Sequence, residues 1–92
     1  MPREIFHLNS SEYRNYMSGG LAHIKTIESN PSHHTYLYHV NPTNTNKLLV
    51  CDDCKTKADF LLYDDDHMKR VYVQLWCSKH APVQFIELLE EK

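Results

Sequence analysis

Apolar and polar positions alternate most regularly late in the chain. Val71, Val73 and Leu75 alternate with Tyr72, Gln74 and Trp76, the two-residue period of a strand with at least one buried face. The pattern predicts strands over Lys69 to Trp76 and Lys57 to Tyr63, joined by a turn at Asp64-Asp65-Asp66-His67. A short strand over Lys47 to Val50 precedes them. After Trp76 the period changes. Pro82 suits the first turn of a helix, and Val83, Phe85, Ile86, Leu88 and Leu89 form a broad apolar side against Gln84, Glu87, Glu90 and Glu91.

The first half reads as strand, helix, hairpin. Arg3 to Leu8 carries Ile5, Phe6 and Leu8 and reads as a strand. Asn9 is placed as a helix N-cap, with Glu12 completing a capping box and Leu8 and Tyr13 as a hydrophobic staple. That helix runs through Met17 and stops at Gly19-Gly20, where a left-handed residue suits a helix end. Leu21 to Glu28 mixes helical spacing with β-branched residues. The turn signal Ser29-Asn30-Pro31-Ser32 tips the reading to a strand paired with the Tyr-rich run His33 to Val40. The polar loop Asn41 to Asn46 divides a strand–helix–hairpin part (1–46) from the rest (47–92) within one domain spanning 1–92. The expected fold class is α+β: a small single domain of antiparallel hairpins, an N-terminal helix and a C-terminal helix.

Ninety-two residues bury a thin core, so a covalent or metal staple is worth seeking. Composition is that of a soluble globular domain, at 41% hydrophobic and 24% charged. No apolar run reaches the length of a membrane span or a signal-peptide core, so a cytoplasmic, reducing setting and no membrane partner are expected. Under those conditions Cys51, Cys54 and Cys77 are expected to be reduced, and their odd number closes no disulfide framework.

Their spacing points to metal. Cys51-Asp52-Asp53-Cys54 is a C-x2-C pair and Cys77-Ser78-Lys79-His80 a C-x2-H pair. Zn²⁺ favours four tetrahedral sulfur and nitrogen ligands, and a two-residue gap lets one tight turn supply two of them. One structural Zn²⁺ on Cys51, Cys54, Cys77 and His80 is therefore expected. Four protein ligands leave no open position for water or substrate, so the chain is expected not to be an enzyme. In small zinc peptides the metal supplies on the order of 10 kcal/mol or more.

The order of knuckle, hairpin, ligand pair and helix resembles a treble-clef zinc finger over about residues 48–91. A zinc ribbon is the near alternative. The phrase Cys77-Ser78-Lys79-His80-Ala81-Pro82 also looks like the C-x-x-H-A-P ending of small zinc-ribbon proteins. The resemblance implies a structural class whose members bind nucleic acids, proteins or lipids, some being nucleases. It does not extend to residues 1–47. A nuclease of this class needs catalytic histidines in its hairpin, and this hairpin offers only His67, beside three aspartates that repel phosphate.

Charge shapes the partner expectation. The chain carries a net charge of −2, and all six Asp lie between Asp52 and Asp66. Asp52 and Asp53 in the knuckle and Asp64, Asp65 and Asp66 at the expected hairpin turn form a candidate acidic face for a protein with a basic surface. The expected function is a small regulator acting by protein–protein interaction, aimed at nucleic-acid-handling machinery; such economical chains are common in phages and mobile elements. The alternative is a nucleic-acid-binding transcription regulator of zinc-ribbon type, using the side of Lys69, Arg70 and Lys79, with Tyr36 and Tyr38 able to stack on bases. Net acidity disfavours it. His33, His34 and His39 lack a placed carboxylate in the sequence pattern and read as packed or surface residues.

Overall fold

The computed structural model describes residues 6–8, 13–66 and 71–91. One antiparallel sheet of five strands organises them, in the order β1-β5-β4-β3-β2. The elements are β1 (Phe6–Leu8), α1 (Tyr13–Tyr16), β2 (Leu21–Asn30), β3 (His33–Val40), β4 (Phe60–Asp66), β5 (Val71–Trp76) and α2 (Val83–Glu90). The sheet runs without a break across the division expected at residue 46, because β3 pairs with β4 from His39↔Phe60 to His33↔Asp66.

Alternation sorts the side chains onto two faces. Val40, Leu61, Val71, Val73 and Leu75 line one face, closed by Leu49 and Ala58 from the connecting loop and by Tyr16 and Met17. Leu37, Phe60 and Trp76 line the other with Ile24, beneath Phe85, Ile86, Leu88 and Leu89 of α2. The apolar side expected of α2 is therefore its packed side, except Val83, which stays 64% exposed. Burying such a set removes surface from water at roughly 25 cal/mol per Å².

Leu21 to Glu28 is strand, as its β-branched residues predict, and it continues to Asn30. Two irregularities, between His23 and Lys25 and between Thr26 and Glu28, break its register with β3. β2 lies at a sheet edge, and bulges there twist the free edge away from pairing with other chains. The turn itself is Pro31-Ser32, held by Asn30 Oδ1, which accepts from Ser32 N at 3.0 Å and Ser32 Oγ at 2.8 Å.

Other expectations need correction. Lys47 to Val50 is not a strand. Its backbone is spent in turns, Leu49 N–H donating to Asn46 O and Val50 N–H to Leu48 O, and only a single bridge joins Val50 to Lys57. β4 starts at Phe60, later than expected, and continues through Asp64, Asp65 and Asp66, so these three aspartates do not form the turn. Aspartate disfavours strands, but β4 is paired on both sides, and the ladders to β3 and β5 override the local preference. Within the expected N-terminal helix, Tyr13–Tyr16 is helical, and within the expected first strand, Phe6–Leu8 is strand; residues 3–5 and 9–12 lie outside the described residues. Asn9, Glu12, His67, Lys69 and Arg70 lie outside the described residues, as do the side chains of Leu8, Tyr13 and Asp66.

The helix stop is placed as read. Gly19 has φ +91°, and a Cβ there would sit 2.4 Å from Asn44 Oδ1, so only glycine fits. Asn44 is buried and ties the 41–46 loop back to this turn: its Nδ2 donates to Ser18 O at 3.2 Å and Gly20 O at 2.9 Å, while its Oδ1 accepts from Asn46 N at 2.8 Å.

Candidate metal centre

The knuckle is built by backbone hydrogen bonds around Cys51. Cys51 N–H donates to Thr56 O at 2.7 Å, and Lys55 N–H donates to Cys51 O at 2.9 Å. Lys55 takes the left-handed conformation, φ 63°, that lets the chain double back. The second pair sits in a turn between β5 and α2, where His80 N–H and Ala81 N–H both donate to Cys77 O, at 3.1 and 3.0 Å. Two carboxylates join these turns. Asp52 Oδ2 accepts from Leu75 N at 3.2 Å, and Asp59 Oδ2 accepts from Ser78 N at 2.9 Å. The backbone adds Asp52 N to Leu75 O and Asp59 N to Trp76 O.

These contacts bring Cys51, Cys54, Cys77 and His80 together, with all four donor atoms within 4.8 Å of one another. Cys77 Sγ lies 3.1 Å and Cys51 Sγ 3.7 Å from His80 Nδ1, and Cys54 Sγ lies 3.5 Å from Cys77 Sγ. Three thiols and an imidazole at such separations fit a single metal ion. Nδ1 is the nitrogen of His80 turned toward the sulfurs.

The thiols are not alike. Cys51 and Cys77 are buried and Cys54 is exposed. Burial pushes the Cys51 thiol up, but backbone N–H groups of Cys77, Cys54 and Asp53 directed at the sulfur outweigh burial and hold it below the ordinary thiol range. Cys54 is also held low, first by the Thr56 hydroxyl, 3.0 Å from its Sγ, and then by the Thr56 backbone. Both environments favour thiolate, the form that binds metal. A cleft of about 450 Å³ opens beside the cluster, lined by Cys54, Cys77 and His80 together with Thr56, Lys57 and Lys79.

The five aspartates offered as a partner face do not lie together. Asp52 and Asp53 are in the knuckle, next to the start of β4. Asp64 and Asp65 lie toward its other end, a run of roughly 15–20 Å at strand rise. Asp53 is exposed, whereas Asp52 is half-buried and engaged with β5. Asp64 and Asp65 are half-buried. Asp64 contacts His33 Nε2, and His33 Nδ1 lies 3.4 Å from Glu28 Oε2. Asp65 Oδ2 accepts from Tyr63 Oη at 3.4 Å. The His33 grouping was hidden in the sequence, where its carboxylates stand 5 and 31 positions away. Asp59 was also missed; its solitary place in a strand-like run gives no local signal.

The sheet face of Val40, Leu61 and Val73 carries a row of rings, of which Tyr38 and Tyr63 pack against that core. His34 stacks on Tyr36 with planes 4° apart at 6.1 Å, Tyr36 stacks on Tyr63 at 6.0 Å, and His23 sits edge-on to Tyr36 and Tyr38. Burial, and then the neighbouring Tyr36, raises the Tyr38 hydroxyl above the ordinary phenol value. His34 Nδ1 is buried with no hydrogen-bond partner among the described residues.

Comparison of this chain with protein-family models, curated proteins and solved structures found no match. No helix among the described residues is long and apolar enough to cross a membrane. The centre is therefore characterised by its own donors: a Cys3His cluster fit to hold one metal ion.

Proposed function

We propose that this chain is a non-enzymatic, zinc-stabilised binding module, a small regulator that acts by contact with another protein. The convergence of Cys51, Cys54, Cys77 and His80 carries the reading. Zinc is the metal because a thiolate-rich donor set with one imidazole selects it over magnesium or calcium, which take oxygen ligands. Four protein donors fill a tetrahedral sphere, so the metal's role is to hold the knuckle against the turn before α2. The order of knuckle, β4–β5 hairpin, ligand turn and α2 supports a treble-clef-like arrangement over a zinc ribbon.

The partner surface is the far end of the sheet. Glu28, Thr35 and Asp64 lie side by side across β2, β3 and β4, while Asp65 falls on the other face of β4, beside Tyr63. In sequence, Asp52, Asp53 and Asp59 are matched by Lys55, Lys57 and Lys79, whereas Glu28, Asp64, Asp65 and Asp66 outnumber Lys69 and Arg70 by two, so the acidic excess that steers a basic protein belongs to the far end. Pull-down of the zinc-loaded chain from a host lysate, with and without nuclease treatment, tests the reading. A protein captured in both, and lost on reversing Glu28 and Asp64 to lysine, is the expected outcome. Elemental analysis showing no zinc in a folded, reduced sample defeats the zinc reading.

The ring row favours a second reading, binding of single-stranded nucleic acid by stacking on Tyr36, Tyr38 and Tyr63. That reading predicts affinity falling steeply with salt and capture abolished by nuclease.

A further inference from the structure

Every Cys3His cluster holds three sulfurs, but here one differs from the others in access. Cys54 is exposed while Cys51 and Cys77 are buried. It lines, with Cys77 and His80, the cleft of about 450 Å³ beside the centre, large enough for a small solute to approach, and of the two cysteines there it is the exposed one. Behind it, at 3.5 Å, stands the sulfur of Cys77. An exposed thiolate with a second thiolate at contact distance is a pair built for oxidation. Resting on the zinc reading above, we infer that Cys54 is a modification site for hydroperoxides, with Cys77 as the resolving thiol, and that oxidation at this pair ejects the metal.

The chemistry balances. The Cys54 thiolate attacks the peroxide: an S–O bond forms, the O–O bond breaks and hydroxide leaves, so sulfur loses two electrons and the peroxide gains them. The Cys77 thiolate then attacks the Cys54 sulfur. An S–S bond forms, the S–O bond breaks and a second hydroxide leaves. Two protons from solvent convert the hydroxides to water. Two of four ligands are consumed, and Cys51 and His80 alone do not retain the ion. The new cross-link joins the knuckle to the end of β5, the connection the metal made before, and a dithiol reductant with zinc reverses the change.

Two features make Cys54 the attacked sulfur. Thr56 Oγ1 lies 3.0 Å from its Sγ, and donation from it steadies the thiolate at the surface. Cys51 is enclosed by the knuckle backbone and presents no comparable opening.

The test uses the intact chain loaded with one equivalent of zinc and treated with hydrogen peroxide. A chromogenic chelator follows metal release, and peptide mass mapping after alkylation of remaining thiols locates the cross-link. The expected result is metal release in step with a Cys54–Cys77 disulfide, lighter by two hydrogens, with Cys51 still alkylated. The variant Cys54→His keeps four donors and should release zinc about tenfold more slowly, since no thiolate remains at the exposed position. If that variant does not fold, limited alkylation of the zinc-loaded native chain decides, Cys54 being expected to react first. A first disulfide or first adduct at Cys51, or metal retained under peroxide, overturns the inference and leaves the zinc reading standing. A chain that takes up no zinc defeats both, and does so before peroxide is added.

Discussion

The two ends of the β4–β5 hairpin are both rich in ionisable side chains, yet they are held together by different physics. At the near end, Cys51, Cys54, Cys77 and His80 converge within 4.8 Å, and Asp52 and Asp59 spend their carboxylates on backbone N–H groups of Leu75 and Ser78. At the far end there is no such convergence among the described residues. His33 instead meets Asp64 and Glu28, with Thr35 Oγ1 at 3.4 Å from the same imidazole. The near end gathers three sulfurs and an imidazole fit to hold one metal ion. The far end depends on pairs about one-third exposed, which water and salt can loosen. Aspartates that look equivalent in a sequence therefore have unequal surroundings: Asp52 and Asp59 accept from backbone N–H groups, whereas Asp64 meets an imidazole and Asp65 a phenol.

The largest effect should come from breaking the near end. Chelation of the metal, or Cys77→Ser, removes a contribution of ~10 kcal/mol or more, against a total stability of ~5–15 kcal/mol for a domain. Loss of the cooperative thermal transition is expected by circular dichroism. Survival of a sharp transition in chelator would show that the hydrophobic faces hold the sheet alone. Next is Phe60→Ala. Phe60 is fully buried where β4 begins, its ring 6.0 Å from that of Phe85, and truncation should cost ~3–5 kcal/mol by denaturant titration on the metal-loaded chain. A cost under ~1 kcal/mol would mean that α2 does not pack on this face as described.

Asn44→Ala should follow, at ~1–3 kcal/mol, because it removes a buried amide that bonds Ser18 O, Gly20 O and Asn46 N and ties the 41–46 loop to the Gly19 turn. The loss should appear in stability and leave metal affinity nearly unchanged. A fall in zinc affinity as large as the fall in stability would place Asn44 in the support of the metal centre, and blur the contrast between the two ends. Asp52→Ala should be smaller, ~0.5–1.5 kcal/mol for one hydrogen bond from a backbone N–H, but should speed metal exchange, because the knuckle loses its side-chain tie to Leu75.

The near end was largely legible from sequence and the far end was not. Two short ligand spacings announce Cys51, Cys54, Cys77 and His80, since each pair is a local turn whose geometry a few residues fix. β5 was legible for the same reason: Val71, Val73 and Leu75 alternate, and all three are buried. The length of β4 was not. Asp64, Asp65 and Asp66 resemble a turn, and only the ladders on both sides show that they continue a strand. Nor could local pattern place His33 against Asp64, because that contact depends on the register of β3 with β4. Asn44 sat inside a polar loop that looked like a divider, and its role as a buried tie appears only when residues 18–20 fold back against it.

The smallest effect, and the sharpest test of the far end, is the coupling between His33 and Asp64. The imidazole lies between two carboxylates, Asp64 at Nε2 and Glu28 at Nδ1. The side chains of His33 and Asp64 are 36% and 35% exposed, so solvent screens much of their attraction. A double-mutant cycle of His33→Ala and Asp64→Ala should therefore return a coupling of at most ~1 kcal/mol, falling as salt rises past ~0.15 M. Neither single change should alter zinc stoichiometry, because the pair stands at the opposite end of β4 from the knuckle. If either one released the metal, the two ends would be a single cooperative unit. A coupling above ~2 kcal/mol that salt leaves unchanged would instead make the pair a buried structural lock, and would remove Asp64 from the surface proposed for a basic partner.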